Sequence, residues 1–411
     1  MKVSVVRNVV FYGLVLYYLV LNYFVFGTIE KYSVEYFLLV IPVAVFVLVF
    51  SPYLAIGYSN RTLILGIFML VTCLISVVRL DHQTFLTCCL LTSTFIVVCN
   101  SRVPLNIKVI NAFYILALIG CAVSYHAGIN TFGYLPELES ISGFQLREDK
   151  LRISLFPLSP ESAFFSLFII IINYYFNKSI SRYFFYAAGG YFMVFSASRT
   201  AIAIFAFFAC FELTTRVVKF RPRVFYHSLN VIFIFAFVIL SNLKEFHILL
   251  SESENPIFRA IMLRTEQQIT TASDTRDVAT RLWIWEQHLR IFSINPLAGV
   301  GTYEFGDYVE GVRSKVYHFT TGSESFLTAW LARVGIAALL IVAFVVAAQS
   351  RALELRSRFT YTMCLFFFMV MISYGSFVVP YNFMFLLMAL SLNFSATDLV
   401  ESEASPSVQN Q

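Results

Sequence analysis

Residues 324–348 read ESFLTAWLARVGIAALLIVAFVVAA, and this run decides the fold class. After Glu324 its only charge is Arg333. About twenty apolar residues suffice to carry a helix across the ~30 Å of bilayer hydrocarbon. Working outward from it, similar runs recur along the chain and predict about twelve spans. Their limits are 9–27, 36–56, 63–79, 83–99, 108–126, 161–177, 183–198, 200–215, 224–242, 324–348, 359–375 and 378–395. A helix satisfies its own backbone hydrogen bonds in lipid, so the expectation is an all-α polytopic membrane protein. Composition agrees, with 59% hydrophobic and 13% charged residues, 45 Phe and 23 Tyr. This excludes an ordinary soluble domain, and no nucleic-acid partner is expected. Residues 8–26 follow a basic start without a small-residue cleavage site and read as a first span, not a signal peptide.

The basic residues orient the bundle. With the N-terminus inside, cytoplasmic loops hold 14 Lys and Arg, among them Lys178, Arg182, Arg216, Arg351 and Arg358. The short external loops hold three, Lys31, Arg79 and Arg199. The positive-inside rule therefore places both termini in the cytoplasm. Residues 1–395 read as one polytopic domain, and residues 396–411 as a disordered cytoplasmic tail. Two long segments fall outside, about 127–160 and about 243–322.

The second external segment stands out by charge. It holds 18 of the 53 charged residues of the chain. Within it, RLWIWEQHLRIFSINPLAGVG at 281–301 predicts a helix from about Asp274 to Ser293, stopped by Asn295-Pro296. Arg281 and Trp285 share a face at i,i+4, whereas Arg290 lies nine residues from Arg281, about 180° around the helix. One of the two arginines points to a bound substrate and the other to structure. The glycines of PLAGVG, Gly299 and Gly301, make a tight turn whose amides are candidates to cradle a phosphate.

Arginine suits diphosphate recognition, because its planar fork gives bidentate bonds and keeps its charge. The external candidates are Arg147 and Arg152 in the first long segment, Arg199 at a span junction, and Arg276, Arg281 and Arg290 in the second. Asp274 and Asp277 flank Arg276 and give it a simpler role in carboxylate pairing. Arg199 reads either as a cavity-facing charge or as an interfacial arginine. Arg333 is interfacial if its helix begins well outside the bilayer, and lines a polar cavity if it begins at Glu324. The candidate bases are few: Glu161, Glu324 and His318, with Glu304 nearby. A glutamate held near apolar surface has a raised pKa suited to proton transfer, but a helix N-terminal acid needs no such role. His82, His126, His227, His247 and His288 have no metal-site spacing, and no metal or cofactor is expected. The seven cysteines read as buried small hydrophobes. Without a Walker, Rossmann or Asp-x-Asp motif, neither an ATP-driven pump nor a nucleotide-sugar glycosyltransferase is indicated.

Several motifs together resemble the O-antigen polymerase and O-antigen ligase superfamily of bacterial envelope proteins. They are SASRTA at 196–201, Arg281 with Ile284 and Trp285, PLAGVGTYEF at 296–305, and SESFLTAWLARVGIAALL at 323–340. The interval from Arg290 to Gly301 also fits the Arg-x10-Gly pattern of the polymerases. The resemblance covers residues 183–348 best. It implies a protein of the bacterial inner membrane acting on undecaprenyl-diphosphate-linked oligosaccharide at the periplasmic face. External arginines would engage the diphosphate, and an acid or histidine would deprotonate the acceptor hydroxyl. A chain-length regulator protein is an implied partner. Ligases carry His-Asn or His-Ser before an aromatic and Leu, where this chain reads Ser323-Glu324-Ser325-Phe326-Leu327. That difference favours a polymerase (Wzy-type), with Glu324, His318 or Glu161 as base. Neither Arg147 nor Arg152 has a glycine eleven residues on, so the pattern is not repeated in the first segment. Ligase and flippase are the alternative expectations.

Overall fold

The structure, a computed structural model, describes residues 12, 60–81, 84–85, 88, 106–126, 159–195, 199–217, 231, 278–303, 307–308, 325–354 and 358–373. The expected spans at 9–27, 36–56, 83–99, 224–242 and 378–395, and the tail, lie wholly or largely outside these residues. So do His318, Glu324, Glu304, Arg147, Arg152 and Arg276.

The described residues are helical, without a strand among them. The helices are α1 (Asn60–Val78), α2 (Ile107–His126), α3 (Ser159–Phe176), α4 (Ser181–Phe195), α5 (Arg199–Val217), α6 (Val278–Ile294), α7 (Phe326–Val334), α8 (Leu339–Glu354) and α9 (Arg358–Ser373). A 3-10 turn, Gly335–Ala338, joins α7 to α8. The path Phe326–Ala347, 22 residues, is long and apolar enough to cross a membrane.

Two compact units divide the chain. The first takes in α1 to α5, most of α8 and most of α9; the second takes in α6, α7 and the 3-10 turn. In the first unit α3 packs against α2 and α4. It is buried all round from Ala163 to Asn173, as expected of a helix that is apolar on every side. Its few polar groups are paired in kind. Asn173 exchanges amide hydrogen bonds with Asn111 of α2, 2.9 Å each way. Tyr114 donates to Ser166 at 2.9 Å. Such bonds hold helices together where the surroundings offer no water.

At the end of α3 a second polar knot forms. Glu212 of α5 is buried and accepts hydrogen bonds from Tyr174 (3.0 Å), Tyr175 and Arg358 (2.9 Å). The Tyr175 hydroxyl also meets Thr362 at 2.8 Å. A buried carboxylate with this many donors has its desolvation cost offset.

The cysteine expectation holds for Cys88 and Cys364, which are buried, but not for Cys210, which is exposed. Cys210 shares a face of α5 with Ile202, Ala206 and Leu213, at helical spacing, and that whole face is uncovered.

Candidate functional site

The second unit brings PLAGVG and AWLARVG together. Helix α6 forms because its apolar residues repeat at helical spacing: Ile284, Trp285, His288 and Ile291 make a buried stripe. Arg290 lies off this stripe. Its side chain is 64% exposed and pairs with Glu286 at 2.6 Å, one turn back. An exposed i,i+4 pair of this kind contributes only about 0.3–0.5 kcal/mol. Asn295 then ends the helix, its carbonyl accepting from Gly299 N–H at 2.8 Å and its side chain from Ala298 N–H at 3.2 Å.

The turn that follows docks onto a break in the long apolar helix. In an unbroken helix, Ile336 N–H would bond to Ala332 and the next amide to Arg333. Here Val300 N–H donates to Ala332 O (2.8 Å) and Gly301 N–H to Arg333 O (2.9 Å). Ile336 N–H turns instead to Pro296 O, at 2.8 Å. Three main-chain bonds across the joint thus replace those the break removes, so the helix end keeps its carbonyls satisfied. The joint needs glycine on both sides. A Cβ on Gly299 (φ +64°) would overlap the Arg333 carbonyl, and one on Gly335 (φ +69°) would fall 2.6 Å from the Leu297 carbonyl. Gly301 is also left-handed, at φ +84°.

This corrects one expectation. The amides of Gly299, Val300 and Gly301 do not face outward to cradle a phosphate, because the carbonyls of Asn295, Ala332 and Arg333 already accept from them. The turn serves to fasten a helix break. The span expected to be continuous over 324–348 is for the same reason interrupted at Gly335.

Arg333 sits at this joint and is 2% exposed. Its guanidinium donates to Thr302 Oγ1 at 2.8 Å and lies over the Trp330 ring, 5.4 Å from the centroid. Being in the last turn of α7, its charge also complements the helix dipole.

A histidine that the sequence reading set aside lies one layer away. His288 is fully buried, its Nδ1 3.0 Å from Thr328 Oγ1 of α7, its ring edge-on to Tyr303. Burial pushes its pKa down to about 3, so it is neutral at physiological pH. Burial also pushes the Tyr303 phenol up, against the opposing pull of the Arg333 charge. Ile284, Ile291, Tyr303 and Ala332 close the small apolar core around this pair.

Helices α6 and α7 run in the same direction, since His288 meets Thr328 while Pro296 meets Ile336. Position 281 falls on the His288 face of α6, two turns earlier, or about 10 Å at 1.5 Å per residue. Ser325, the N-cap of α7, precedes Thr328 by about 4.5 Å on the same scale. Position 281 therefore belongs to the stretch of α6 beyond the start of α7, while the Arg290 side chain faces away from the buried stripe. Ser325 is itself buried, its hydroxyl has no hydrogen-bond partner, and no side chain caps the helix. Glu161 and Arg199 stand in the first turns of α3 and α5, in the first unit.

The structure thus unites Gly299 and Gly301 with Arg333 and leaves Arg290 on the opposite face. Sequence reasoning passed over His288, Thr302 and Thr328. The usable signal was spacing: His288 falls in register with Arg281, Ile284 and Trp285 on one face.

No protein-family model matches the chain, and no curated protein sequence matches it.

Proposed function

We propose that this protein is an O-antigen or surface-polysaccharide polymerase of the bacterial inner membrane, joining undecaprenyl-diphosphate-linked repeat units at the periplasmic face. The observation that carries the proposal is the joint itself. Two of the motifs on which the resemblance rests, PLAGVG and AWLARVG, are distant in sequence yet bonded main chain to main chain, with an arginine buried where they meet. The reading includes twelve spans, cytoplasmic termini and external segments at about 127–160 and 243–322.

In this reaction a sugar hydroxyl of one lipid-linked unit attacks the anomeric carbon of the growing chain. A new C–O bond forms, the bond from that carbon to the diphosphate oxygen breaks, and undecaprenyl diphosphate leaves. The hydroxyl proton passes to a base, for which Glu324, His318 and Glu161 are the candidates. Arginines stabilise the charge that gathers on the departing diphosphate, as fixed partners that need no reorganisation. Arg281 and Arg290 come first, with Arg199, Arg147 and Arg152 as further candidates, and Arg333 joins them on the strength of its burial beside the turn. The neutral, enclosed His288 holds Thr328 and is not a base.

The test is the banding pattern of lipopolysaccharide or capsule from a strain lacking the gene. Core carrying a single repeat unit, with the ladder gone, is the expected result. Bare core with polymer stranded on the lipid carrier means a ligase, and an unchanged pattern points to transport. Complementation with Arg290→Ala is expected to leave protein level intact and polymer absent; full-length polymer would remove Arg290 from the site.

A further inference from the structure

The joint of the second unit lies at a depth that an external loop would not reach. This argument rests on the membrane reading above. Gln349 and Arg351 mark one end of the apolar path Phe326–Ala347. Residues 335–347 make roughly 20 Å of helix at 1.5 Å per residue. Hydrocarbon is ~30 Å thick, so the path enters it roughly 10 Å before Gly335, and any tilt sets Gly335 deeper still. Residues 295–301 are bonded to residues 332–336 and share that depth.

Irregular backbone at membrane depth is tolerated only where it is buried in protein or lines a water-filled cavity. The backbone of this turn is packed into the joint, with Gly299 and Gly301 buried. Pro296 brings no N–H and its carbonyl accepts from Ile336, while the N–H groups of Ala298, Gly299, Val300 and Gly301 are all bonded within the joint. Its outward surface is apolar: Leu297 is 73% exposed and Ile294 62%, beside Ile336 and Leu339 at 47% each. The charges of α6 stop short of it. Arg290 lies seven residues before Leu297, about 10 Å of chain on the helical scale, which returns it to the bilayer surface.

We propose that residues 295–301 form a re-entrant turn that enters the outer leaflet, with Ile294 and Leu297 in contact with phospholipid acyl chains. The occupant of this apolar face is hydrocarbon because the face is continuous with Ile336 and Leu339 of the path that crosses the membrane. Arg333 and the Thr302 bonded to it then lie within the outer leaflet, roughly 7 Å below the plane where a lipid-linked diphosphate meets its tail.

The test uses the full-length native chain in vesicles of phosphatidylethanolamine and phosphatidylglycerol, doped with a phospholipid bearing a diazirine midway along one acyl chain. After illumination, trypsin releases peptides 291–313 and 334–351, and fragment ions locate the adducts. Adducts at Ile294 and Leu297, in yield comparable with those at Ile336 and Leu339, are expected. Adducts at Ile336 and Leu339 with none on 291–313 would leave the turn outside the membrane and overturn the proposal alone. Adducts on neither peptide would overturn it together with the membrane reading of this path. A second measurement places a fluorophore on Leu297→Cys in a chain whose native cysteines are alanine. Quenching by acyl-brominated lipid is expected, and its absence, with fast labelling by an impermeant maleimide, counts against the turn's insertion. The polymerase reading stands or falls separately, on the banding pattern.

Discussion

Gly299 lies against the carbonyl group of Arg333 with no room for a side chain between them. Its left-handed backbone, φ +64°, is a second reason for glycine there. Gly299→Ala and Gly335→Ala are each expected to destabilise the protein by at least about 2 kcal/mol, since left-handed backbone alone costs 1–2 kcal/mol and the overlap adds to it. Gly190→Ala is the control, because a Cβ there meets nothing within 4 Å and the site is helical. Thermal unfolding in detergent should separate the three; wild-type melting of Gly299→Ala would contradict the joint.

His288 makes stability depend on acidity. Its folded pKa, about 3, is below the usual 6.5, so between these values the unfolded chain binds a proton that the folded chain does not. Stability is therefore fully present above about pH 6.5 and falls as pH drops toward 3, by up to about 1.4 kcal/mol per pH unit. Melting measured at pH 7.5 and pH 5 should show this loss in the wild type and a smaller one in His288→Gln. Equal slopes in the two proteins would mean that His288 is not buried neutral.

Arg333→Leu removes a guanidinium held by Thr302 and Trp330. If Arg333 faces developing diphosphate charge, polymerisation should slow by about 10²–10³-fold, as when one fixed electrostatic donor is removed. Arg333→Lys should be impaired too, because a point charge does not reproduce the fork. Thr302→Val, which loses one neutral hydroxyl partner, should cost about 1 kcal/mol. Consumption of lipid-linked repeat units by isolated membranes gives the rates, and an undiminished rate in Arg333→Leu would limit that residue to holding the joint.

Asn111 and Asn173 form a reciprocal pair between α2 and α3. Asn111→Leu leaves buried amide groups of Asn173 short of a partner and is expected to cost about 1–3 kcal/mol. Replacing both by leucine should recover part of that, with a coupling of about 1 kcal/mol in a double-mutant cycle. Strict additivity of the two single changes would show that the pair contributes nothing as a pair.

Helix positions were legible in the sequence because apolar run length determines them. Residues 108–126 were expected and Ile107–His126 is helical; residues 161–177 correspond to Ser159–Phe176, and 359–375 to Arg358–Ser373. The α6 helix was expected to end before Asn295-Pro296, and it does. The break at Gly335 was not legible. No proline or charge run marks it, and its cause is tertiary, since hydrogen bonds from residues 300–301 stand in for those within the helix. For the same reason the PLAGVG amides were expected to face a ligand when a protein carbonyl was their partner. Helical spacing separated Arg281 from Arg290 without saying which one faced inward, and only the packing of α6 on α7 puts Arg290 outside.

A joint fastened by main chain makes few demands on the side chains that project from it. At Leu297 and Ala298, substitution leaves the three cross-bonds in place, whereas at Gly299 and Gly335 almost none is admissible. A saturation scan of this segment should accordingly give a comb of intolerant teeth separated by permissive gaps. Other residues can then replace what the turn presents to its surroundings without rebuilding the support beneath it.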